Sequence, residues 1–497
     1  MFDSSPRVAL ARTEPSYENV LAPFDPDFEA PELRTLYGEA FRIGGRNPTY
    51  RAVRASLQAL GLDEDRIGQP EWNPLGSLVR RGGRVVLKPN LIRHYNPCPD
   101  GSLQSVVTHG SILRAVADYA WLAVGGEGSV VIAEAPQQDC EWKAVAAYAG
   151  LGDLVTHYAA LGLALEIVDI RREEVTLVDG IIINRRSLPG DPAGYRVVDL
   201  GSDSFFGDSN LDPVRFRGAD YDPGPTAAHH SNGLNEYLLS ETVLSADLVV
   251  NLPKLKTHKK TGVTLALKNL VGINGDKNWL PHHTLGNPSE GGDEYPGEDA
   301  MDRVRSRATE VARMFLDRGL GRSIFRLVRR FEDRVRGSEF IRSGNWYGNM
   351  TTWRMCLDLN ICLYYSDDKG FYADAKTPRR RVLTLLDGIV AGEEGGPLAP
   401  RDVPLGAMIA SEDPVAVDLV ALKLMDFDHD RVPKIHEAMR AEKLRVTRLR
   451  SPSELELVEV DATQVDAVPR LGVLGQLDWG RPFRAHSGWT GHLENER

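Results

Sequence analysis

The sequence predicts an α/β protein with a mainly parallel sheet, helices on both faces, a peripheral N-terminal cap and an inserted helical or loop segment. From Arg84 onward, short apolar runs of strand type alternate with helical stretches, beginning with RVVLKP, a helix at 110–123 and the strand SVVIAEA. Several of these runs are apolar at every position. Strands of that composition are covered on both faces, which favours a parallel sheet between two helical layers.

Pattern and composition divide the chain into five segments. Its 497 residues exceed one ordinary core, since a domain holds roughly 150 residues. An insertion is inferred from the stretch NPSEGGDEYPGEDA, an amphipathic helix from Met301 to Arg336 and the aromatic and polar cluster SGNWYGNMTTWRMC. The predicted segments are an N-terminal cap at 1–78, a first part of the α/β core at 79–275, the insertion at 276–375, a second part of the core at 376–450 and a C-terminal tail at 451–497.

Composition and charge argue against several classes of protein. Apolar residues make up 42% and charged residues 26% of the chain, as in ordinary globular proteins, and the net charge is −11. Non-specific binding to nucleic acid or to an anionic membrane requires an excess of Lys and Arg. No run of about 18 apolar residues predicts a membrane span, and the N-terminus has no signal-peptide pattern. We expect a cytoplasmic protein that binds neither nucleic acid nor a membrane, of unknown oligomeric state.

The four cysteines are widely scattered along the chain. Cys98 and Cys140 are isolated, and the spacing of Cys356 and Cys362 is not that of zinc or ferredoxin-type iron–sulfur sites. We therefore expect no iron–sulfur cluster held by this chain and expect reduced thiols in the cytosol.

Residues 248–275 are the strongest candidate for a functional site. They include five lysines and one histidine but no carboxylate, although about four acidic residues are expected in a stretch of this length. Lysines at this density repel one another unless an anion lies among them. If 254–258 is extended, its period of two places Lys254, Lys256 and His258 on one side. The pattern predicts an anion-binding site, with a solvated basic loop as the alternative interpretation.

The residues that follow add candidate ligands and catalytic groups. If a helix begins near Thr261, its free N–H groups lie beside the lysines, with Lys268 one turn below Thr264. A histidine beside lysines is expected to be neutral, so His258 is the candidate acid or base, together with Lys268. The ligand-binding candidates of this segment are Lys254, Lys256, Thr261, Gly262, Thr264 and Asn269.

Two further segments follow strands, at the edge where open α/β sheets bind ligands. In VVLKPNLIRH, Lys88 and Asn90 come directly after a strand and are predicted ligand-binding residues, although an exposed turn explains them equally. In VVTHGSIL, Thr108 or His109 precedes a helix. These residues either cap the helix or meet a ligand, which makes Thr108 a binding candidate and His109 a third catalytic candidate.

A third segment, VLTLLDGIVAGEEGGPLAP, is predicted to be a strand that ends in Asp387 and continues into a glycine-rich loop. Glycines permit close approach of the backbone to a ligand, and Asp387 is a ligand-binding candidate. Glu393 and Glu394 have the carboxylates that a divalent cation prefers, so they are the candidate metal ligands. A tight exposed loop is the alternative. His282 and His283, beside Asp293 and Glu294, form a weaker candidate metal site.

Six stretches of the chain, taken in order, resemble a known family. They are VVLKPNL, VVTHGSILRAV, SVVIAEA, LVVNLPKLKTHKKTGVTLALKNLVG, LLDGIVAGEEGGP and SEDPVAVDLVA. Together they are similar to the family known as domain of unknown function 362 (DUF362) between residues 80 and 430. Some members of that family carry a ferredoxin-like iron–sulfur segment, from which this chain departs because its cysteines are not clustered.

The Lys–x–His motif, with its glycine-rich continuation and second lysine, is also similar, more distantly, to the core of the nickel-pincer-dependent lactate racemase family. In those enzymes the histidines and lysines of such a segment hold a pyridine-derived nickel cofactor and move protons or hydride. The resemblance implies that His258 and Lys268 are the matching positions and His109 a partner. Likeness at this level does not transfer function.

The sequence leaves three classes of function open. The first is an enzyme that binds a carboxylate, phosphate or nucleotide. An isomerase or epimerase is the first reaction expected, and a ligase or transferase using magnesium the second. The second class is a non-catalytic binding or carrier module for an anionic metabolite or cofactor, and the third is an iron–sulfur redox protein. The cofactor is unknown, and magnesium and nickel are the divalent metals that these alternatives name.

Overall fold

A large mixed sheet with helices on both faces dominates the fold, which confirms the predicted α/β class. Eleven strands belong to this sheet, and three two-stranded sheets lie outside it. None of the helices in the described ranges combines the length and apolarity that a membrane span needs. The computed structural model describes residues 5–178, 181–219, 222–297, 300–314, 343–372, 377–464, 467–478 and 481–495.

The helices and strands have the following bounds. The strands are β1 (Arg7–Arg12), β2 (Arg84–Pro89), β3 (Ser129–Glu134), β4 (Leu165–Asp169), β5 (Glu173–Val178), β6 (Ile181–Ser187), β7 (Tyr195–Asp199), β8 (Phe216–Arg217), β9 (Glu236–Ser240), β10 (Leu248–Leu252), β11 (Lys254–His258), β12 (Gly262–Val263), β13 (His283–Thr284), β14 (Arg381–Gly395), β15 (Ala399–Ser411), β16 (Glu456–Asp461) and β17 (Arg470–Leu471). The helices are α1 (Pro31–Tyr37), α2 (Pro48–Ala59), α3 (Gly110–Val124), α4 (Trp142–Tyr148), α5 (Leu151–Ala160), α6 (Gly224–Ala228), α7 (Glu241–Leu244), α8 (Leu265–Asn269), α9 (Ala300–Met314), α10 (Thr352–Tyr365), α11 (Pro414–Met425) and α12 (Pro433–Arg440).

The main sheet runs in the order β17, β16, β1, β15, β14, β10, β2, β3, β4, and β11 and β12 branch off β14. One part of the sheet is parallel, and it consists of β14, β10, β2, β3 and β4. Antiparallel pairs occur at β14 with β15, at β15 with β1 and at β16 with β17. The carboxyl ends of the parallel strands therefore share one edge of the sheet.

Alternation along the strands explains the continuous apolar runs in the sequence. In β2, Val85 and Leu87 belong to the core with α1 to α5, whereas Val86 belongs to the core with α8, α10, α11 and α12. Successive side chains of a strand point to opposite faces. Because helices cover both faces, most central positions of β2, β3 and β10 are buried and apolar.

The N-terminal segment differs from the peripheral cap predicted for residues 1–78. Strand β1 lies inside the sheet, antiparallel to β15 and parallel to β16, with Leu10 opposite both Ile409 and Glu459. Helices α1 and α2 pack on one face of the sheet. The six-residue strand carries no local sign of this pairing, because its partners lie about four hundred residues further along the chain.

Two other predicted segments also differ in the structure. The strand that contains Asp387 does not end there but continues to Gly395 and pairs with β15, so Glu393 and Glu394 lie in a strand and not in a loop. This pairing outweighs the weak strand preference of the glycines. Of the helix predicted from Met301 to Arg336, the structure has α9 up to Met314, and residues 315–342 lie outside the described residues.

Asp118 on α3 fixes the N-terminal helices to the sheet. The hydroxyls of Tyr37, Tyr50 and Tyr158 donate hydrogen bonds to its carboxylate, and Nε of Arg114 lies 3.0 Å from both of its oxygens. All five side chains are buried. A buried carboxylate is tolerated only with partners of this kind.

Replacing Asp118 with alanine should destabilise the protein by about 3–5 kcal/mol, because the Arg114 guanidinium would lose its fully buried counter-charge and keep only the ion pair with the partly exposed Asp25. Chemical denaturation of Asp118→Ala measures the change in the free energy of unfolding. Glu127→Ala is the control, since it removes an exposed ion pair with Arg81 and should leave stability unchanged. Equal effects of the two substitutions would contradict the role given to Asp118.

Candidate functional site

The lysine-rich segment folds as a strand, a turn and a short helix at the carboxyl ends of β2 and β10. Strand β11 follows β10 directly and runs parallel to β14, in agreement with the extended conformation predicted for 254–258. Strand β12 returns antiparallel to β11, and α8 follows it. This is the edge of the sheet where ligands bind in open α/β folds.

Lys254 and Asp387, two predicted ligand-binding residues, bind each other. Lys254 Nζ lies 2.8 Å from Asp387 Oδ2, and both side chains are fully buried. The Tyr17 hydroxyl donates to the other oxygen of Asp387 and accepts from Lys254 Nζ at 3.3 Å. Each group in this trio has a partner, so Lys254 and Asp387 stabilise the fold instead of facing a ligand.

His109 contacts this trio and does not belong to the cluster around Lys268 that is described below. Its imidazole stacks on the Tyr17 ring with a centroid distance of 4.1 Å, and its Nδ1 accepts the Ser111 N–H as the N-cap of α3. Burial lowers the pKa of His109 to about 4, and its charged neighbours are Asp387 and Lys254. The structure thus assigns His109 the capping role that the sequence left open.

Lys88 is neutralised in a similar way by a carboxylate on the next strand. Its Nζ lies 2.8 Å from Glu134 Oε2, and both groups are buried. A Cβ at Gly272 would lie 1.9 Å from Glu134 Oε1, so only glycine leaves room for this pair. Asn269 donates through Nδ2 to the Lys88 carbonyl at 3.2 Å and to Asn251 Oδ1 at 2.8 Å. Lys88 and Asn269 therefore join the strand ends to α8.

Lys256 is buried without such a counter-charge. Its Nζ donates to the carbonyl of Val106 and lies 3.4 Å from Asn90 Oδ1. The Thr108 hydroxyl donates to the Leu252 carbonyl at 2.7 Å and accepts the Asn90 N–H. Burial and neighbouring lysines lower the pKa of Lys256 well below its ordinary value. Asn90 and Thr108 thus hold the backbone around this amine.

The start of α8 differs from the prediction. The helix begins at Leu265 and not near Thr261, and its free N–H groups are taken by Asp418, which lies 2.7 Å from the Ala266 nitrogen. The Thr261 hydroxyl donates to the Val263 carbonyl. A carboxylate is a favourable partner for the free N–H groups at a helix start. Asp418 and the Val263 carbonyl therefore occupy the donors that the sequence offered to a ligand.

Thr264 and Gly262 complete the turn before α8. Thr264 Oγ1 is buried and has no hydrogen-bond partner among the described residues. Gly262 has φ of 73°, a left-handed conformation that favours glycine, and a Cβ there would lie 3.2 Å from both Trp489 and Leu493. Gly262 thus shapes the turn and admits the C-terminal segment, and no ligand contact is needed to explain it.

The charge of Lys268 acts on a group of cationic and imidazole side chains. Lys268 is 8% exposed, and burial lowers its pKa. Its positive charge lowers the pKa of each of its neighbours in this group. We call the following six residues the Lys268 cluster: Lys256, His258, Lys260, Lys268, Lys277 and His282.

Three amines of the Lys268 cluster donate to backbone carbonyls. Lys256 donates to Val106, Lys260 to Ser343 and Lys277 to Val271. A carbonyl accepts a hydrogen bond but does not neutralise a charge. Burial lowers the pKa of Lys260 and of Lys277 to about 7; the charge of Lys268 adds to both shifts, whereas Asp293 opposes that of Lys260 and Glu134 that of Lys277. The cluster therefore has an excess of positive charge that a bound anion would stabilise.

His258, the candidate acid or base, is neutral as predicted, and backbone N–H groups occupy the lone pair of its Nδ1. Burial, then Lys268 and Lys434, lower its pKa well below the ordinary value. Its Nδ1 accepts the N–H groups of Lys260 at 3.0 Å and Thr261 at 3.2 Å. The proton of the neutral imidazole therefore lies on Nε2. In this tautomer His258 donates a hydrogen bond from Nε2 and has no free lone pair.

Glu393 and Glu394, the predicted metal ligands, are paired with arginines of the C-terminal segment. Arg481 Nη1 lies 3.0 Å from Glu393 Oε2, the Arg484 N–H donates to the same oxygen, and the Arg484 guanidinium pairs with Glu394. Within the described ranges, no three His, Cys, Asp or Glu side chains are grouped so as to hold a metal ion. The two glutamates anchor the C-terminal segment.

The predicted histidine and acid pairs also separate in the structure. Asp293 is buried and accepts the N–H groups of Thr284, Met350 and Thr351, which fixes the end of the insertion. His282 instead belongs to the Lys268 cluster. The insertion thus supplies a residue of the site and, through the Ser343 carbonyl, a partner for Lys260.

Several functional neighbours were missed from the sequence. Tyr17, Glu134, Asp418 and Lys434 come from four different parts of the chain, and no local pattern marks them. The sequence pattern could have indicated Lys277 and His282 as site residues, because the basic stretch continues through NGDKNWLPHH directly after the lysine-rich segment. Both residues fall at the start of the predicted insertion, outside the lysine-rich segment that the sequence marks as the candidate site.

The comparisons with known proteins support the resemblance to DUF362 but not the one to the lactate racemase family. Residues 195–423, which include the Lys268 cluster, match the model of the family described as domain of unknown function (DUF362). This match supports the assignment of that part of the chain to the family. A thylakoid-associated protein of Synechocystis sp. is 42% identical over 59 residues, which is 12% of this chain and 16% of that relative's length. The chain thus matches about a sixth of that relative. No solved structure matches the chain significantly.

The lowered pKa of Lys260 predicts how stability depends on pH. The folded protein releases this proton at about pH 7, whereas an ordinary lysine holds it up to pH 10.5. Above pH 7 the unfolded state therefore binds more protons, and the free energy of unfolding should rise with pH by up to about 1.4 kcal/mol per pH unit. Chemical denaturation between about pH 7 and 9 should show this rise in the wild type and a smaller one in Lys260→Met.

The control for this experiment is Lys443→Met, which replaces an exposed lysine and should keep the wild-type pH profile. Below pH 7 both states hold the proton, so the difference between wild type and Lys260→Met should be constant there. A difference that is constant over the whole range would contradict a lowered pKa of Lys260.

Proposed function

We propose that the Lys268 cluster binds an anionic small molecule and that the protein is an enzyme acting on it by proton transfer. The observation that carries this proposal is that Lys256, Lys260 and Lys277 donate to backbone carbonyls beside the buried Lys268, and that within the described residues none of these four lysines forms an ion pair with a carboxylate. By contrast, carboxylates neutralise the nearby Lys88 and Lys254. Within the described residues, the lack of a carboxylate partner therefore distinguishes the lysines of the cluster from these two. A carboxylate, a phosphate or a nucleotide phosphate supplies the missing charge.

Two residues of the cluster have the properties that proton transfer requires. Burial lowers the pKa of Lys268, which brings its neutral, basic form closer to physiological pH. His258 presents Nε2–H as a hydrogen-bond donor to an oxygen that gains negative charge during the reaction. We assign Lys268 the role of base and His258 that of donor, and an isomerase or epimerase is the reaction type that fits this pair.

A nickel-pincer racemase-type reaction is the second candidate. The observation that favours it is that His258 and Lys268, the two positions matched by that resemblance, belong to the same cluster. His109 does not belong to the cluster, so one of the three residues that the resemblance implies lies outside it. A ligase or transferase that uses magnesium through Glu393 and Glu394 is disfavoured, because both carboxylates are paired with arginines.

Loss of anion binding on replacement of Lys268 is the direct test. Isothermal titration with inorganic phosphate should show binding to the wild type that weakens at least about tenfold in Lys268→Gln, which corresponds to about 1.4 kcal/mol. Lys443→Gln, at an exposed position, is the matched control and should bind as the wild type does. Unchanged phosphate affinity in Lys268→Gln would contradict the assignment of the site.

Mass spectrometry and elemental analysis of protein purified gently from its native host identify the ligand. A bound carboxylate or phosphate compound supports the first candidate, and nickel with a pyridine derivative supports the second. A carrier module, the non-catalytic alternative, would return its ligand unchanged after long incubation. In that case Lys268→Gln should lower affinity without changing any turnover.

A further inference from the structure

The two histidines of the Lys268 cluster are held in opposite tautomers by the backbone. His258 Nδ1 accepts two backbone N–H groups, so its proton lies on Nε2. His282 Nδ1 lies 2.8 Å from the Leu280 carbonyl oxygen. A carbonyl only accepts, so the His282 proton lies on Nδ1 and its Nε2 carries a free lone pair.

Both imidazoles stay neutral for the same physical reasons. Burial lowers the pKa of His282 to about 3, and the charges of Lys268 and Lys260 add to this effect. Lys268 and Lys260 also lower the pKa of His258. Hydrogen bonds place His282 near Lys260, because the Asn349 amide donates to the carbonyls of both His282 and Gly344, and Lys260 donates to the carbonyl of the adjoining Ser343. At neutral pH His258 is therefore a donor through Nε2 and His282 an acceptor through Nε2.

His282 is chemically different from the rest of the cluster. The amines of Lys260 and Lys277 and the His258 Nε2–H are donors that suit the oxygens of an anion, whereas Lys268, as the base, acts on the proton that is transferred. An oxygen that has only lone pairs would face the lone pair of His282 and leave it without a partner. A buried polar atom without a partner costs about 1–3 kcal/mol. His282 is partly exposed, so a ligand can reach it.

We propose that the site selects anions that also carry an O–H or N–H donor, with His282 as the residue that determines this specificity. The lysines and His258 hold the anionic oxygens, and His282 Nε2 accepts a hydrogen bond from the ligand's own hydroxyl or amine. Hydrogen phosphate and hydroxylated carboxylates share this chemistry. The inference rests on the proposed anion-binding function and names the class of ligand for it.

Inorganic phosphate and sulfate are the minimal probes, since they have the same shape. At about pH 7 every phosphate species carries at least one O–H group, whereas sulfate has none and carries the larger charge. Charge alone therefore predicts tighter binding of sulfate. Isothermal titration at matched ionic strength should instead show phosphate binding at least about tenfold tighter than sulfate.

Substitutions separate the acceptor from the donor. In His282→Phe the preference for phosphate over sulfate should fall to about one, with sulfate affinity unchanged or improved. In His258→Phe both anions should bind more weakly, with the ratio of their affinities retained. His429→Phe, at a partly exposed histidine that lies outside the Lys268 cluster, should leave both affinities unchanged.

The outcomes distinguish this inference from the proposed function. Equal or tighter binding of sulfate by the wild type overturns the role of His282 but leaves the anion site intact. Binding of neither anion at millimolar concentration overturns the anion site and this inference together. If His282→Phe does not fold, the ratio of phosphate affinity to sulfate affinity in the wild type decides by itself whether the site selects anions that carry a donor.

A second measurement does not depend on ligand binding. Nitrogen NMR of protein labelled in its histidine rings distinguishes the two neutral tautomers and the imidazolium. We expect the Nδ1–H form for His282 and the Nε2–H form for His258, each assigned by the loss of its signals in the corresponding variant. An imidazolium or an Nε2–H form at His282 would contradict the inference.

Discussion

The free-energy cost of burying ammonium groups constrains this whole region of the molecule. Several kcal/mol are needed to take such an ion out of water unless a counter-charge and hydrogen bonds compensate. Lys88 and Lys254 have that compensation in Glu134 and Asp387, and Lys434 lies 3.8 Å from Asp418. These paired lysines fix the strand ends and the turn before α8. The lysines of the Lys268 cluster do not have it, and this difference separates structural lysines from the site within one stretch of sequence.

The backbone around Lys268 is held in an unusual conformation by groups on the helices beneath it. Leu265 has φ of 53°, which is rare for a residue with a branched side chain. Asp418 binds the first N–H groups of α8, and Lys434 donates to the carbonyls of Val263 and Thr264 just before the helix. The two side chains oppose the local strain, as is common at functional sites. Lys268 therefore owes its position to α11 and α12.

The sequence was sufficient for features that depend on local pattern. The α/β class, the helix from Gly110 and the extended strand at 254–258 follow from periodicity, and the structure contains them. The sequence was insufficient where a distant partner decides. Glu134 lies 46 residues from Lys88, and Asp387 lies on a strand far along the chain from Lys254, so no local window shows which lysines are neutralised. The tautomers of His258 and His282 depend on single backbone contacts and are equally invisible in the sequence.

The position of β1 has a consequence for the order in which the protein is assembled during translation. This strand is made before its two neighbours in the sheet, β15 and β16, which lie far along the chain. Until β15 has left the ribosome, β1 has no partner in the sheet. Non-local pairing of this kind is slow. Tyr17, which follows β1, forms hydrogen bonds with Lys254 and Asp387, so the buried polar groups at these strand ends remain hydrated until β14 has been made.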